Sequence, residues 1–297
     1  LRLHASSVVL PGLHRSADMP AKKLKNLLLE KGLSEEELKF VTRAFDVIGD
    51  IAVIKVRREI WDKRKIIAEA LMEFRRLRSV VAITGLTEEL YRTRKLEVIA
   101  GDENLETIHK EHGCTFKVDL RRAFFSPRLA YERQRVARKV RRHETVINMF
   151  AGVGCFSIVI AKAEPTARIF SIDINPYAYE YMCENIILNR TDNVIPLLGD
   201  AADLMPLFEG RADRVLMPLP ERAAAFLRFA ADALKEQGVV HYYTVAFANS
   251  SSPLFKRPIE EVNKVLSDRE VKIEEKRVVR SVGPRKYHVV LDLLVRS

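Results

Sequence analysis

The chain has 297 residues, 47% of them hydrophobic and 30% charged, and its fifty Lys and Arg against forty Asp and Glu give a formal charge of +10. That length is ample for two domains. No run reaches the ~18 uncharged apolar residues of a membrane span and none reads as a signal peptide, so the expectation is a globular cytoplasmic protein.

Residues 1–18 show no period and read as a leader or a truncated N-terminal element, with Met19 as the expected native start. Pro20 to Phe40 is helical in pattern, with Ser34 and Glu37 forming a capping box. Val47 to Val56 alternates around Gly49 as a strand, and an amphipathic, basic helix spans about Arg58 to Leu77. The glycine-broken runs "SVVAITG", "KLEVIAG" and "TIHKEHGCTFKVDL" complete a smaller α/β unit over 19–120. After Arg121 a basic helix is followed by alternating strands and helices to the C-terminus. That order predicts an α/β domain over 121–297 with a mostly parallel sheet and crossover helices. Cys114, Cys155 and Cys183 lack metal-ligand spacing and cannot all pair, so neither zinc nor structural disulfides are expected.

Two stretches carry chemistry. "RRAFFSPRLAYERQRVARKVRRHE", Arg121 to Glu144, is the densest basic run, with Phe124, Phe125 and Tyr131 among its cations. Such runs are usually solvated helix faces; aromatic residues between cations make RNA contact a serious rival. "NMFAGVGCFSI", Asn148 to Ile158, puts Gly152 and Gly154 between a strand and a helix, where the chain turns tightly and a ligand meets the helix N-terminus. The spacing is neither the dinucleotide fingerprint nor a P-loop. Asp173, closing the second strand, is placed to accept from two ribose hydroxyls, and Asp200, closing the third, from an adenine amine. Each aspartate alone is more often a turn or cap residue. Together with the loop they fit a nucleoside without phosphate, and S-adenosylmethionine is the obvious candidate.

The runs "FFSPRLAYERQR", "NMFAGVGCFSI", "DINPYAYEYMCENIILN", "ADRVLMPLP" and "GVVHYYT", with "FDVIGDIAVIKV" upstream and "KRVVRSVGPRKYHVVLDL" at the end, resemble the archaeal and eukaryotic tRNA guanine-37 N1-methyltransferase family from about Phe45 to Ser297. The resemblance implies a class I, Rossmann-like S-adenosylmethionine domain preceded by an RNA-contacting α/β domain, acting on tRNA beside the anticodon as a monomer. It implies cofactor contacts from Phe150, Gly152, Gly154, Asp173, Ile174, Asp200, Ala201 and Pro218. Glu132 falls on the family's general base and Arg92 on its electrostatic clamp, although Glu132 could equally pair with Arg135 or Arg128 along its helix. Phe124 is a stacking platform or a core aromatic, and Arg128, Arg133, Arg138, Lys139, Arg141 and Arg142 are expected phosphate contacts.

Three positions depart from the family pattern: Asn148 replaces an acid, Cys155 a proline, and Pro218 the asparagine of Asn-Leu-Pro. Pro218 has no side-chain amide with which to hold a base. Two alternatives therefore stand beside the methyltransferase: an enzyme of the wybutosine pathway at the same nucleotide, moving the aminocarboxypropyl group or methylating a tricyclic precursor, or a tRNA-binding paralogue without catalysis.

Overall fold

The computed structural model describes residues 21–42, 44–88, 90–248 and 253–296; the expected leader and Met19 lie outside them. The chain opens with α1 (Ala21–Glu30) and α2 (Glu35–Leu38). The capping box forms: Ser34 Oγ accepts from the Glu37 N–H at 3.2 Å and Glu37 Oε2 from the Ser34 N–H at 2.8 Å. The stretch around Gly49 is not one strand but two, β1 (Asp46–Ile48) and β2 (Ile51–Ile54), paired antiparallel across Gly49-Asp50. Apolar alternation is the same in a continuing strand and in one folded back on itself. A 3₁₀ turn and α3 (Arg64–Arg75) lead to β3 (Ser79–Thr87) and β4 (Arg94–Gly101), giving a four-stranded sheet in the order β1-β2-β3-β4. Leu28 of α1 and Ile67 and Leu71 of α3 bury against Ala52, Ile54 and Val80 of this sheet.

A hairpin follows, β5 (Glu106–Glu111) and β6 (Cys114–Asp119). The remaining elements are α4 (Ala130–Ala137), β7 (Thr145–Asn148), α5 (Cys155–Ala163), β8 (Arg168–Asp173), α6 (Pro176–Asn189), β9 (Val194–Leu198), α7 (Ala201–Leu204), β10 (Ala212–Met217), α8 (Ala223–Asp232), β11 (Leu234–Phe247), α9 (Lys256–Val265), β12 (Glu270–Gly283) and β13 (Lys286–Arg296). They build a seven-stranded sheet in the order β12-β13-β11-β10-β7-β8-β9. The pairs from β11 to β9 are parallel, as the alternation predicts, while β13 and β12 join antiparallel at one edge. Ile158 of α5 and Met182 of α6 pack with Val146 and Ile169 on one face. Leu227 of α8 and Val262 of α9 pack with Val215 and Val240 on the other.

The hairpin is bound to the larger sheet's layer by two asparagines one helical turn apart. Asn185 Oδ1 accepts from the Lys117 N–H at 2.7 Å and its Nδ2 donates to the Lys117 carbonyl at 3.0 Å; Asn189 does the same at Thr115, at 2.8 and 2.6 Å. Phe116 and Val118 of β6 and Val53 of β2 share one apolar cluster with Ile158. Arg78 pins the two sheets from the other side, with its Nε on Asp50 at 2.9 Å and its terminal nitrogens on the carbonyls of Asn104 and Glu106, both at 2.7 Å. Among the described residues no helix is long and apolar enough to cross a membrane.

Candidate active site

The chain reverses direction across the sheet between β7 and β10, and the crevice beyond the carboxyl ends of such strands is where open α/β sheets bind ligands. An open cavity lies there. Met149, Phe150 and Gly152 border it after β7, Asp173, Ile174 and Asn175 after β8, Gly199, Asp200 and Ala201 after β9, and Pro218 to Arg222 after β10. Seven of the eight expected cofactor residues are thus on its wall. The eighth, Gly154, shapes the loop from beneath: its φ is +88°, and a Cβ there would stand 3.1 Å from both Ile158 Cδ1 and Met182 Cγ. Gly152, at φ +56°, also adopts the left-handed region that favours glycine.

Asp173 organises this loop. Its Oδ2 accepts from the Gly152 N–H at 2.6 Å and its Oδ1 from the Asn175 N–H at 2.9 Å. Burial pushes its carboxyl above the usual range against those two N–H groups, which pull it down. A carboxylate offers about four lone-pair positions, so it retains capacity for two hydroxyl donors, which would offset its desolvation. Asp200 caps α7, accepting from the Ala202 N–H at 2.8 Å, and still borders the cavity. Phe150 meets Phe226 edge to face at 5.0 Å and closes the apolar side. An acidic hydroxyl acceptor, an apolar slot and a glycine turn on the wall fit a nucleoside with an uncharged or cationic tail.

The smaller sheet supplies the far wall. Leu90, Tyr91 and Arg92, from the β3–β4 turn, border the same cavity, as do Phe124, Arg280 and His288. Arg92 is held at φ +59°, uncommon for a side-chain-bearing residue, and its NH2 pairs with Glu221 at 3.1 Å. Glu221 also lies 3.4 Å from His288 Nε2. The hydrogen bond to His288, outweighing burial, and the charges of Arg92 and His288 hold its carboxyl at about 2, which makes it a weak proton acceptor.

Glu132 is not on the cavity wall. It is 2% exposed, bonded through both oxygens to Arg135 and at 2.8 Å to the Tyr243 hydroxyl. Tyr243 does border the cavity, so the expected direct contact between Glu132 and a substrate base is replaced by contact through the phenol. Burial and the neighbouring Glu132 push that phenol's pKa well up.

Behind Glu132 lies a charged network that the basic run conceals in sequence. Arg135 also donates to Asp292 at 2.6 Å and to Glu275 at 3.0 Å, and Lys139 joins the same two carboxylates. His241 is fully buried between Arg214 and Asp292. An Arg214 N–H directed at Nε2 requires that nitrogen to accept, so Nδ1 carries the proton toward Asp292. Burial accordingly holds the imidazole below its usual range.

This network corrects several expected phosphate contacts. Arg133 is 2% exposed, held by Glu111 and by the Ser126 carbonyl, which leaves it nothing to offer RNA. Lys139 is committed to Glu275 and Asp292. Arg128 is exposed but carries Asp46 on its Nε. Arg138, Arg141 and Arg142 are exposed, though α4 ends at Ala137 and they lie on its cap and the following turn. Phe124 borders the cavity with Arg94 over its ring at 4.9 Å.

The departures from the family pattern also find places. Asn148 is fully buried, donating to Ser157 Oγ at 3.1 Å and accepting from the Phe150 N–H at 3.4 Å. Cys155 begins α5 with its thiol pushed up by burial to about 12. Pro218 faces the cavity, and the Met217 carbonyl beside it is taken by the Leu219 N–H at 2.8 Å. Glu221, Tyr243, Arg280 and His288 were not singled out from sequence. Tyr243, Arg280 and His288 lay inside motifs whose individual side chains looked ordinary, and Glu221 directly after "ADRVLMPLP".

Fold and site together define a class I, Rossmann-like methyltransferase-type α/β enzyme fold carrying an N-terminal α/β domain. Residues 107–274 match the TRM5/TYW2 methyltransferase domain and residues 24–104 the TYW2 N-terminal domain. The chain belongs to the TRM5/TYW2 methyltransferase family. It is 40% identical over 264 residues, 88% of this chain and 77% of the other, to a protein of Pyrococcus abyssi named tRNA (guanine(37)-N(1))-methyltransferase Trm5b. It is 36% identical, over 85% of this chain and 94% of the other, to tRNA 4-demethylwyosine(37)-methyltransferase Taw21 of Saccharolobus solfataricus. The crystal structure of the P. abyssi Trm5b superposes with a TM-score of 0.80 over 89% of this chain and 78% of that one, at 38% identity. The P. horikoshii TYW2 in complex with MeSAdo does so at 0.76 over 93% and 98%, at 28% identity.

Proposed function

We propose that this protein is an S-adenosylmethionine-dependent tRNA methyltransferase acting on N1 of guanine 37. The observation that carries the reading is the composite cavity. The strand ends of the larger sheet furnish a nucleoside site, and the smaller domain extends Arg92 across it. Relatives named for that reaction, and a related structure titled as a complex of aTrm5 with tRNALeu, support it.

S-adenosylmethionine bound there supplies an electrophilic methyl on its sulfonium. Asp173 would hold the ribose, and Phe150, Asp200 and Ala201 would line the place of the adenine. Arg92 turns from Glu221 to the guanine O6, where charge gathers as N1 loses its proton. That proton passes to the Tyr243 oxygen as the phenol's own proton passes to Glu132, leaving the N1 electron pair to bond the methyl carbon as the methyl–sulfur bond breaks, its electron pair returning to sulfur as a neutral thioether. Glu221 remains ionised as the counter-ion of Arg92. The exposed Arg138, Arg141 and Arg142 meet tRNA phosphates.

The TYW2 match of the N-terminal domain, and a relative named as an aminocarboxypropyltransferase at 34% identity, favour one second reading: the same cofactor with its other alkyl group moved to a wyosine precursor. Incubation with methyl-labelled cofactor and tRNA, followed by nucleoside mass spectrometry, decides. A methyl on guanosine 37 supports the first reading, an aminocarboxypropyl group on the tricyclic base the second, and nucleosides unchanged in mass on every substrate reject both.

A further inference from the structure

Four guanidinium groups crowd the rim of the cavity beside Phe124. Arg92 and Arg280 lie on its wall, Arg94 stacks on the outer face of Phe124 at 4.9 Å, and Arg128 stands on the turn Pro127–Leu129. Among the described residues two carboxylates pair with them directly: Glu221 with Arg92 and Asp46 with Arg128. Arg280 has neutral partners alone, Ser126 Oγ and His288 Nδ1, both at 3.3 Å. Arg94 makes no ion pair among the described residues. Burial lowers both cations, Arg280 to about 10; the neighbouring guanidiniums add to the effect, while the charge of Asp46 on both, and of Glu221 on Arg280, acts against it. Two half-buried guanidiniums close to one another, with no carboxylate in direct contact with either, are costly to the free protein. An incoming anion with several acceptor oxygens removes that cost, and guanidinium is the side chain best matched to a phosphate.

We propose that Arg94 and Arg280 form a clamp for one phosphodiester: the one attached to the nucleotide whose base enters the cavity. The placement follows from the walls. The base slot is bordered by Phe124, Arg92 and Arg280, and Arg94 lies over the same phenyl ring, 4.9 Å from its centroid. The clamp couples docking to chemistry, because a strand seated on Arg94 and Arg280 delivers its base to Arg92. It rests on the reading of tRNA as substrate.

The test uses the full chain and a synthetic anticodon stem-loop RNA with guanosine 37, made with natural linkages or with a single uncharged methylphosphonate on the 5′ or the 3′ side of that nucleotide. Binding is measured for the wild type and for Arg94→Gln and Arg280→Gln. One of the two methylphosphonates is expected to weaken wild-type binding about 10-fold or more, and each variant to weaken the natural RNA by a similar factor. Combining variant and methylphosphonate should cost little beyond either alone, since both remove the same interaction. Arg94→Lys, which keeps the charge, should recover part of the loss, and S-adenosylmethionine affinity should be unchanged throughout as the check on folding. Additive losses, or a wild type indifferent to both uncharged linkages, overturn the clamp. Methyl transfer to the natural RNA is scored separately: a wild type that binds with the expected coupling yet transfers nothing refutes the catalytic reading and leaves the clamp standing. A wild type that does not bind the RNA refutes both.

Discussion

Asp173→Ala tests the cofactor site at its most connected residue. The carboxylate already receives the Gly152 and Asn175 N–H groups at 2.6 and 2.9 Å, and two ribose hydroxyls would occupy its remaining lone pairs. Hydrogen bonds to a charged group contribute about 1.5–3 kcal/mol each, so deleting the ribose pair alone removes about 3–6 kcal/mol, a loss of roughly 10² to 10⁴ in affinity. The variant also frees the two backbone donors, which loosens the loop and adds to the loss. Asp173→Asn is informative because it keeps the shape. One of its two amide atoms must present N–H to a backbone N–H, so it cannot hold Gly152 and Asn175 together and should rescue little. Calorimetric titration with S-adenosylmethionine reads the effect, with a thermal melt to show the fold intact. An Asp173→Ala protein that melts normally and binds within about 3-fold of wild type, far below the effect of even one charge-assisted bond, would refute the assignment.

In single-turnover methyl transfer, Glu132→Gln should be slower by roughly 10² to 10⁴ with RNA and cofactor still bound; Tyr243→Phe should match it, and a fast Tyr243→Phe beside a slow Glu132→Gln would break the relay. Arg92→Ala should cost about 2–4 kcal/mol in the transition state, read as the fall in the single-turnover rate. Replacing Arg138, Arg141 and Arg142 with Gln should flatten the salt dependence of tRNA binding by up to about 0.9 in slope for each phosphate no longer neutralised, and an unchanged slope would mean that these residues face solvent in the complex. Asp292→Asn should lower stability by about 3–5 kcal/mol in denaturant titration, because Arg135 and Lys139 lose a buried counter-ion. Burial raises the Asp292 carboxyl, but His241 and Arg135 outweigh it and hold the group well below the usual range. Its stabilisation is therefore complete above the ordinary carboxylate pKa of about 4 and is lost as pH falls below it, so acid should flatten the difference between wild type and Asp292→Asn.

The larger domain was legible because its signals are local: a strand ending in glycines, a carboxylate at the next strand end, and helices between. Gly49-Asp50 was missed as a turn although a Gly-Asp pair between two apolar runs is a two-residue hairpin signal; the stretch also reads as one strand continuing through the glycine. The basic run misled for a different reason. Arg135 and Lys139 are neutralised by Glu275 and Asp292, on two strands near the other end of the chain, and no window on the sequence brings such partners together. Glu132 illustrates the same limit from the functional side. Its motif was recognisable, but its distance from the cavity depends on Tyr243, which arrives from another strand. Arg92 carried no signal beyond the resemblance, since a turn arginine becomes special only when the domain bearing it folds over the cavity.

The two asparagines of α6 have a consequence beyond holding a hairpin. A strand edge is an invitation: its unpaired N–H and C=O groups accept any extended chain that arrives in register, which is how soluble proteins join into larger aggregates. By presenting one acceptor and one donor at each of two successive outward-facing residues, Lys117 and Thr115, the helix imitates a neighbouring strand and uses up that edge of β6. Side-chain amides are the only uncharged groups that can do so, since each reproduces both halves of a peptide unit. The helix thus closes a border of the sheet as a selvedge finishes a cloth.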